Sequence, residues 1–493
     1  MTRGHDEEGS SPHTRSPRVI EPEVSTTRLG VRLMLDIQPI DSLAAHDAAG
    51  ADPDVITKSA ATPLFRNRSF LRLWFVAAAT QVGGHMALYA MTILVFSTTR
   101  SNTAVSALLM TYMLPQVLLS PFAGVIIDRV NLRWAMIGPN AVRAALMVGL
   151  ALAGVDVPIL LLLNVGISLT GVALMPTEGS FLPRVVSAAQ LETALGIFNL
   201  TFQASFAVGF AFAGPLLVVV FGPSVVLGVV AAFYIAATVM CVGLPTAPPE
   251  VRPADHLRRS DAIQPLRELL EGFRTVSGNL EIQRPIIVQA AAAAGAGVLG
   301  VLGPALAITI GLEPSHFAVV ILPLGFGVVV GILGLRRLRR VSHRRIAESG
   351  LLAFGALAVS LAVMASIGSV LGELAPSVLP FVVGAAFAAG AAYGMTAVAA
   401  QTSLLEAMPS DVRGRVFGVL ASIVSAVALL TSVVAGPVAD HVSAPVVVAV
   451  VGLAVVLVGA WLTGRSGPRA SEAREPGSPT SSRRASKERF ERP

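Results

Sequence analysis

The sequence predicts an all-α integral membrane protein with about twelve transmembrane helices in two six-helix halves. Three observations predict it. The 493 residues are 54% hydrophobic and only 13% charged, against about 25% charged in a soluble domain. Apolar runs long enough to cross a bilayer, about 20 residues each, recur from residue 70 to residue 464. Arginine gathers in alternate gaps between those runs, which is the positive-inside pattern. Ala, Val, Leu and Gly fill the runs while aromatics make up 6%, and small residues let membrane helices approach closely.

The runs follow in order. Span 1, at 70–96, starts after Lys58, Arg66 and Arg68, with Arg72 in its first turn; span 2 takes 103–127. Arg129 and Arg133 precede span 3 at 134–154, and Asp156–Pro158 separates it from span 4 at 157–181. Arg184 precedes span 5 at 194–221, and Gly222-Pro223 divides it from span 6 at 223–245. The six remaining spans fall at 285–310, 315–335, 346–370, 374–404, 413–439 and 444–464. Between the sets lies a longer gap, 246–284. It opens with Pro248, Pro249 and Pro253, then places Ile263, Leu266, Leu269, Leu270 and Phe273 at helical spacing. That pattern predicts an amphipathic helix on the membrane surface. The expected bodies are therefore a six-helix bundle at 65–245, a linker at 246–284 and a second bundle at 285–465. Polar tails at 1–64 and 466–493 are expected to be disordered and cytoplasmic.

Arginines also crowd the gaps after spans 6, 8 and 10, whereas the odd gaps carry Arg100, Asp156, Glu313 and Glu373. This places both termini in the cytoplasm of a bacterial plasma membrane. The formal charge of +6 thus reflects topology, and nucleic acid is not an expected partner. The lone Cys241 excludes an internal disulfide or a Cys-based metal site. No Gly-x-x-x-x-Gly-Lys-Ser/Thr loop, metal cluster or nucleophile elbow is present, so neither an enzyme nor a cofactor is expected. No cleavable leader is expected either: the patch at 29–37 is short and carries Arg32 and Asp36.

The halves echo each other. Gly214-Pro215 in span 5 and Gly436-Pro437 in span 11 lie 222 residues apart, and Pro183 and Pro409 lie 226 apart. Repeated halves around a midplane site are a common build of secondary transporters. With Gly124-Val-Ile-Ile-Asp128-Arg129-Val-Asn-Leu-Arg133 between spans 2 and 3, the chain resembles the major facilitator superfamily over residues 65–465. The family pattern has Gly where Asn131 stands and a basic residue where Leu132 stands. Gly209 and Gly214-Pro215 resemble the helix-bending signature of antiporters in that family. Met175-Pro176 to Pro183, and Met408-Pro409 to Gly418, are similar to its bacterial siderophore, macrolide and multidrug exporters.

The resemblance implies the major facilitator fold, alternating access and a small-molecule substrate. It also implies a proton as coupling ion, membrane lipid as solvent and action as a monomer. It implies a latch in which Asp128, beside Gly124, meets the start of span 11 near Arg413 and Arg415. Arg129 or Arg133 then meets an acid near span 4, for which Glu178 is the candidate. Arg143, ten residues into span 3, must face a cavity or an acid, since an arginine at the membrane centre costs at least about 2.5 kcal/mol. Gln81 and His85 in span 1, Asn164 in span 4, Asn199 and Gln203 in span 5, and Tyr393 and Gln401 in span 10 are candidates for the substrate cavity. Each could equally hold helices together. The proton carrier is open: no acid lies mid-span in the first half, His85 is of the residue type that can titrate near neutrality, and Glu178, Glu406 and Asp440 lie near span ends. Export leads. Nutrient uptake, a membrane enzyme on lipid-linked substrates and a non-transporting sensor or scaffold are the alternatives.

Overall fold

The computed structural model describes residues 63–127, 130–152, 156–246, 260–338, 340–371, 377–408 and 412–464. The tails expected at 1–64 and 466–493 lie outside them apart from Pro63 and Leu64, as do Asp128 and Arg129. Among the described residues all regular structure is helical, and twelve helices are long and apolar enough to cross a membrane. They are α1 (Arg68–Thr99), α2 (Asn102–Ile127), α3 (Leu132–Leu152), α4 (Val157–Val185), α5 (Ala188–Phe221) and α6 (Pro223–Val242). After a surface helix α7 (Ser260–Ser277) come α8 (Leu280–Thr309), α9 (Ala318–Gly334), α10 (His343–Leu371), α11 (Leu379–Ala407), α12 (Arg413–His441) and α13 (Ala444–Gly464).

The boundaries follow from local chemistry. The Asn67 side chain accepts from the backbone N–H of Ser69 and Phe70, capping α1, and Asp156 and Asn279 cap α4 and α8 in the same way. Gly222, at φ 82°, turns the chain ahead of Pro223, whose fixed φ suits the first turn of α6. Within α5, residues Ala207–Ala213 widen into a π turn directly before Gly214-Pro215. The proline lacks an N–H and its ring crowds the preceding turn, so the ladder shifts register there.

The helices pair in one pattern twice. In the first six, α1 and α3 pack on α6, α2 and α3 on α4, and α1 on α5. In the second six, α8 and α10 pack on α13, α9 and α10 on α11, and α8 on α12. Small residues set the closest of these. Gly327 and Gly331 of α9 lie on the backbone of Phe387 and Ala391, while Gly390 and Gly394 of α11 lie on that of Leu324 and Val328. Without a hydrophobic drive between helices in lipid, such close backbone approach supplies the attraction.

The halves meet through α2 against α12 and α5 against α9. The near face is the one where α1 begins and α13 ends; the other is the far face. The apolar core differs between them. One cluster runs through both halves and takes Tyr89, Phe96, Val105, Phe210 and Val226 from the first and Phe317, Val320 and Ala439 from the second. Toward the near face the first half has its own cluster, with Phe70, Leu73, Met136 and Phe181. The second half has another, joining Val276 of α7 to Ile286, Leu404 and Val419.

Candidate functional site

Polar side chains inside the first half gather around Arg143. It projects from α3 and is 9% exposed. Its Nε donates to the Ile167 carbonyl at 3.3 Å and to Thr170 Oγ1 at 3.1 Å, both on α4. The guanidinium carbon sits 5.6 Å from the centroid of the Tyr234 ring on α6, a cation–π distance. Gly171 makes the space: a Cβ there would collide with Arg143 Nη2. Glu178 lies on α4 seven residues beyond Gly171, hence on the same helix face and about 10 Å nearer the near face. It is 6% exposed and sits within the field of Arg143. Among the described residues no ion pair joins the two, so Arg143 acts on Glu178 through its field. A buried arginine and a buried carboxylate are thus held on facing helices of one half, beside the buried hydroxyl of Tyr234.

The remaining cavity candidates divide. Asn164 Nδ2 donates to the Leu108 carbonyl at 3.0 Å and to Thr111 Oγ1 at 2.9 Å. With Ser168, which donates to the Tyr112 carbonyl, it ties α4 to α2 and is fully buried. That is interhelical bonding, not cavity lining. Tyr393 packs its ring 5.4 Å from Phe354, inside the second half. His85 lies edge-on to Phe206 of α5 at 5.4 Å. Gln81 and Gln401 are half-buried and Asn199 is exposed; the Gln203 side chain lies outside the described residues.

The latch partners differ from the expectation. Gly124, Asp128 and Arg129 fall outside the residues whose surroundings are described. Arg133 does not reach Glu178; its Nη2 donates to the Val242 carbonyl at the end of α6, and Arg72 Nη1 donates to the Gly243 carbonyl beside it. The orphan carbonyls at the α6 terminus attract these cations. Arg415 meets Glu271 of α7 at 3.4 Å, and Arg267 shares that carboxylate at 3.5 Å. Arg413 is exposed.

The densest polar junction was not singled out by sequence reasoning, which placed Asp440 only at a span end. At the far face, Asp440 of α12 reaches across to the start of α2. Its Oδ2 accepts from Ser101 Oγ (2.8 Å), Thr103 N (2.9 Å) and Thr103 Oγ1 (2.7 Å). Its Oδ1 accepts from Asn102 N and Nδ2, both at 2.8 Å. A carboxylate at a helix N-terminus meets free N–H groups and the positive dipole end together. One turn deeper, Ser106 Oγ donates to the Ser432 carbonyl at 2.5 Å and accepts from Gly436 N at 3.1 Å. The hydroxyl of one half is thus inserted into the i→i−4 ladder of the other, beside Pro437. Gly436 rests on the Asn102 backbone with no room for a Cβ. Elsewhere between the halves, Tyr89 stacks on Phe317 at 6.2 Å, and Phe212 of α5 meets Phe326 of α9 edge-on at 5.5 Å.

A second polar cluster lies at the near face of the second half. Glu348, 2% exposed, accepts from Arg284 Nη1 at 3.2 Å and Arg344 Nε at 3.1 Å. Only the Arg344–Glu348 spacing, one helical turn, was available as a signal in the sequence.

The sequence pattern of the Major Facilitator Superfamily matches residues 73–373. Similar solved structures include the nucleoside transporter NupG, 12% identical, with a TM-score of 0.63 over 81% of this chain and 99% of that one. A POT family transporter in complex with a thioalcohol-conjugated peptide is 11% identical, with a TM-score of 0.60 over 81% of this chain and 96% of that one. A bacterial homolog of the human lysosomal transporter Spinster, in an inward-facing and unoccupied conformation, is 14% identical. Its TM-score is 0.53 over 82% of this chain and 95% of that one. No curated protein matches the chain. At these identities the likeness is one of fold.

Proposed function

The chain belongs to the major facilitator superfamily, and we propose that it exports small drug-like or siderophore-like molecules by alternating access, in exchange for protons. The observation that carries the reading is the difference between its two faces. The apolar core and the Asp440 junction join the halves at the far face, while each half keeps a separate core toward the near face. That arrangement supports a state with its site accessible from the near face, which the arginine bias assigns to the cytoplasm of a bacterial membrane. The moving bodies are the bundles at 65–245 and 285–465. When the near face closes, Asp128 meets the start of α12, and Glu271 releases Arg415.

Glu178 is the proton carrier in this reading, and Arg143 is the charge that balances it. Taking an ion out of water costs several kcal/mol. The pair therefore favours states in which charge is compensated: Glu178 ionised beside Arg143, or Glu178 protonated. A proton taken up from the far side and released at the near side changes that balance once per cycle, so the gradient biases the conformational equilibrium. His85 and Gln81, on α1, are the polar groups offered to the substrate. The bent α5, with its π turn before Gly214-Pro215, supports the antiporter resemblance.

The test is flux in inside-out vesicles with siderophores, macrolides and cationic dyes, with and without an uncoupler. Uncoupler-sensitive accumulation is the expected result. Glu178→Gln should abolish it while leaving substrate exchange at zero gradient intact. A flux indifferent to the pH gradient would overturn the proton reading. Accumulation only in right-side-out vesicles would establish uptake instead.

A further inference from the structure

Near the start of α1, on the membrane-facing side of the first half, a groove of about 370 Å³ is lined by Arg68, Leu71, Arg72, Trp74, Phe75 and Met240. It exists because α5 and α6 part here. At the far end, residues Gly214–Phe221 of α5 pack on α6; at the near end, Ala188–Phe206 packs on α1 and leaves α6. The floor of the gap is α1. We propose that this groove binds an anionic glycerophospholipid from the near-face leaflet, with its phosphate on Arg68 and Arg72 and an acyl chain along Leu71, Phe75 and Met240.

Three features argue for that occupant. Arg68 and Arg72 are one helical turn apart and therefore present both guanidinium groups to one side. Their planar donors match a phosphate diester, and the lining holds no carboxylate to neutralise them. Arg72 is also built into place. Its Nη1 donates to the Gly243 carbonyl, and a Cβ on Gly243 would press on the guanidinium carbon at 2.9 Å. Directly below, the groove turns apolar. Trp74 spends its N–H on Thr201 Oγ1 at 2.8 Å, so the ring edge is satisfied within the protein. Phe75 is 44% exposed, apolar surface that an acyl chain would cover. Cationic side chains at the headgroup level above an aromatic and aliphatic slot make an amphipathic surface matching one lipid. The linker arginines are a weaker candidate, since Arg267 is committed in part to Glu271.

The chain supplies its own reporter. It has three tryptophans, Trp74, Trp134 and Trp461, and Trp134→Phe with Trp461→Phe leaves Trp74 alone in the groove. This full-length protein is reconstituted into phosphatidylcholine vesicles containing either phosphatidylglycerol or phosphatidylcholine with brominated acyl chains, which quench tryptophan on contact. Brominated phosphatidylglycerol is expected to quench Trp74 half-maximally at about one-tenth the mole fraction needed for brominated phosphatidylcholine. Arg68→Gln with Arg72→Gln should bring the two curves together, and Arg267→Gln should leave them apart. Equal quenching by both lipids, or a preference that survives the double substitution, would overturn the site. If loss of the Arg72 contact prevents folding, Arg68→Gln alone carries the test, because exposed Arg68 is outside the α6 cap. An unchanged preference there would count against the proposal in the same way.

Discussion

Two polar junctions of α12, one at each face, are built from different chemistry. At the far face, one carboxylate takes five hydrogen bonds from three consecutive residues at the start of α2, Ser101 to Thr103, and Ser106 and Gly436 interlock backbone with hydroxyl one turn below. At the near face, Arg415 meets Glu271 at 3.4 Å with both side chains about two-fifths exposed, and the contact runs to the linker helix rather than to the first bundle. Short, numerous, charge-assisted bonds resist opening. An exposed pair of long side chains contributes about 0–1 kcal/mol. The difference teaches which face has to be unlocked for the halves to rock: the far face holds the geometry-dependent junction, and the near face holds an exchangeable one.

The largest way to break the comparison is Gly436→Val. Its side chain would occupy the place of the Asn102 backbone, so α2 and α12 could not close at the far face. A cysteine placed at Ser106, in a Cys241→Ser background, should then react with an impermeant maleimide from the far side more than tenfold faster than without Gly436→Val. Uphill transport should be lost.

Asp440→Ala comes next. Hydrogen bonds to a charged group contribute about 1.5–3 kcal/mol each, but Asp440, Ser101 and Thr103 are partly solvated, so a total near 2 kcal/mol is expected. That corresponds to a rise of up to about thirtyfold in far-side labelling at the same cysteine, with partial retention of transport. Asp440→Asn should fall between wild type and alanine, since its amide keeps one acceptor and loses the charge. Labelling unchanged by either substitution would remove Asp440 from the junction.

Within the first half, Arg143→Leu should cost more than Arg143→Lys in vesicle flux. Lysine keeps the charge near Glu178 but loses the fork donating to Ile167 and Thr170. The double variant Arg143→Leu with Glu178→Gln is expected to fold better than Arg143→Leu alone, because it removes the buried acid left without its compensating cation. A size-exclusion profile and thermal melt of the four proteins would read this.

The smallest effect belongs to the near face. Glu271→Gln should change labelling and flux by less than about threefold. A large loss would mean that α7 restrains the halves more than its exposed ion pair accounts for.

Much of the fold was legible in the sequence because lipid imposes length and polarity on every span. The runs expected at 70–96, 223–245 and 444–464 are helices at Arg68–Thr99, Pro223–Val242 and Ala444–Gly464, and the amphipathic stretch near Ile263 is Ser260–Ser277. Gly214-Pro215 marked a bend in α5, while the π turn at Ala207–Ala213 before it was not legible. Among site residues, Arg143 stood out in the sequence as needing a partner, since an intramembrane charge is costly wherever it lies, and the structure places Thr170 and Tyr234 against it. Its partners were not legible: Thr170, Tyr234 and Glu178 lie 27 to 91 residues away, on two other helices. Asn164, with the same polarity as a cavity residue, proved to tie α4 to α2, because only packing decides which way a helix face turns.

The sequence by itself determined that this chain lives in a membrane, how many times it crosses, which gaps carry the cations, and that its halves repeat. Each of those is a local property, summed over about twenty residues of hydropathy or read from a short motif. Only the tertiary structure decided that Asp440 is bonded to residues 101–103, that Arg415 meets Glu271, and that α5 parts from α6 above two arginines. These are contacts between residues distant along the chain, and their energy depends on ångström-scale distance and direction that no periodicity encodes.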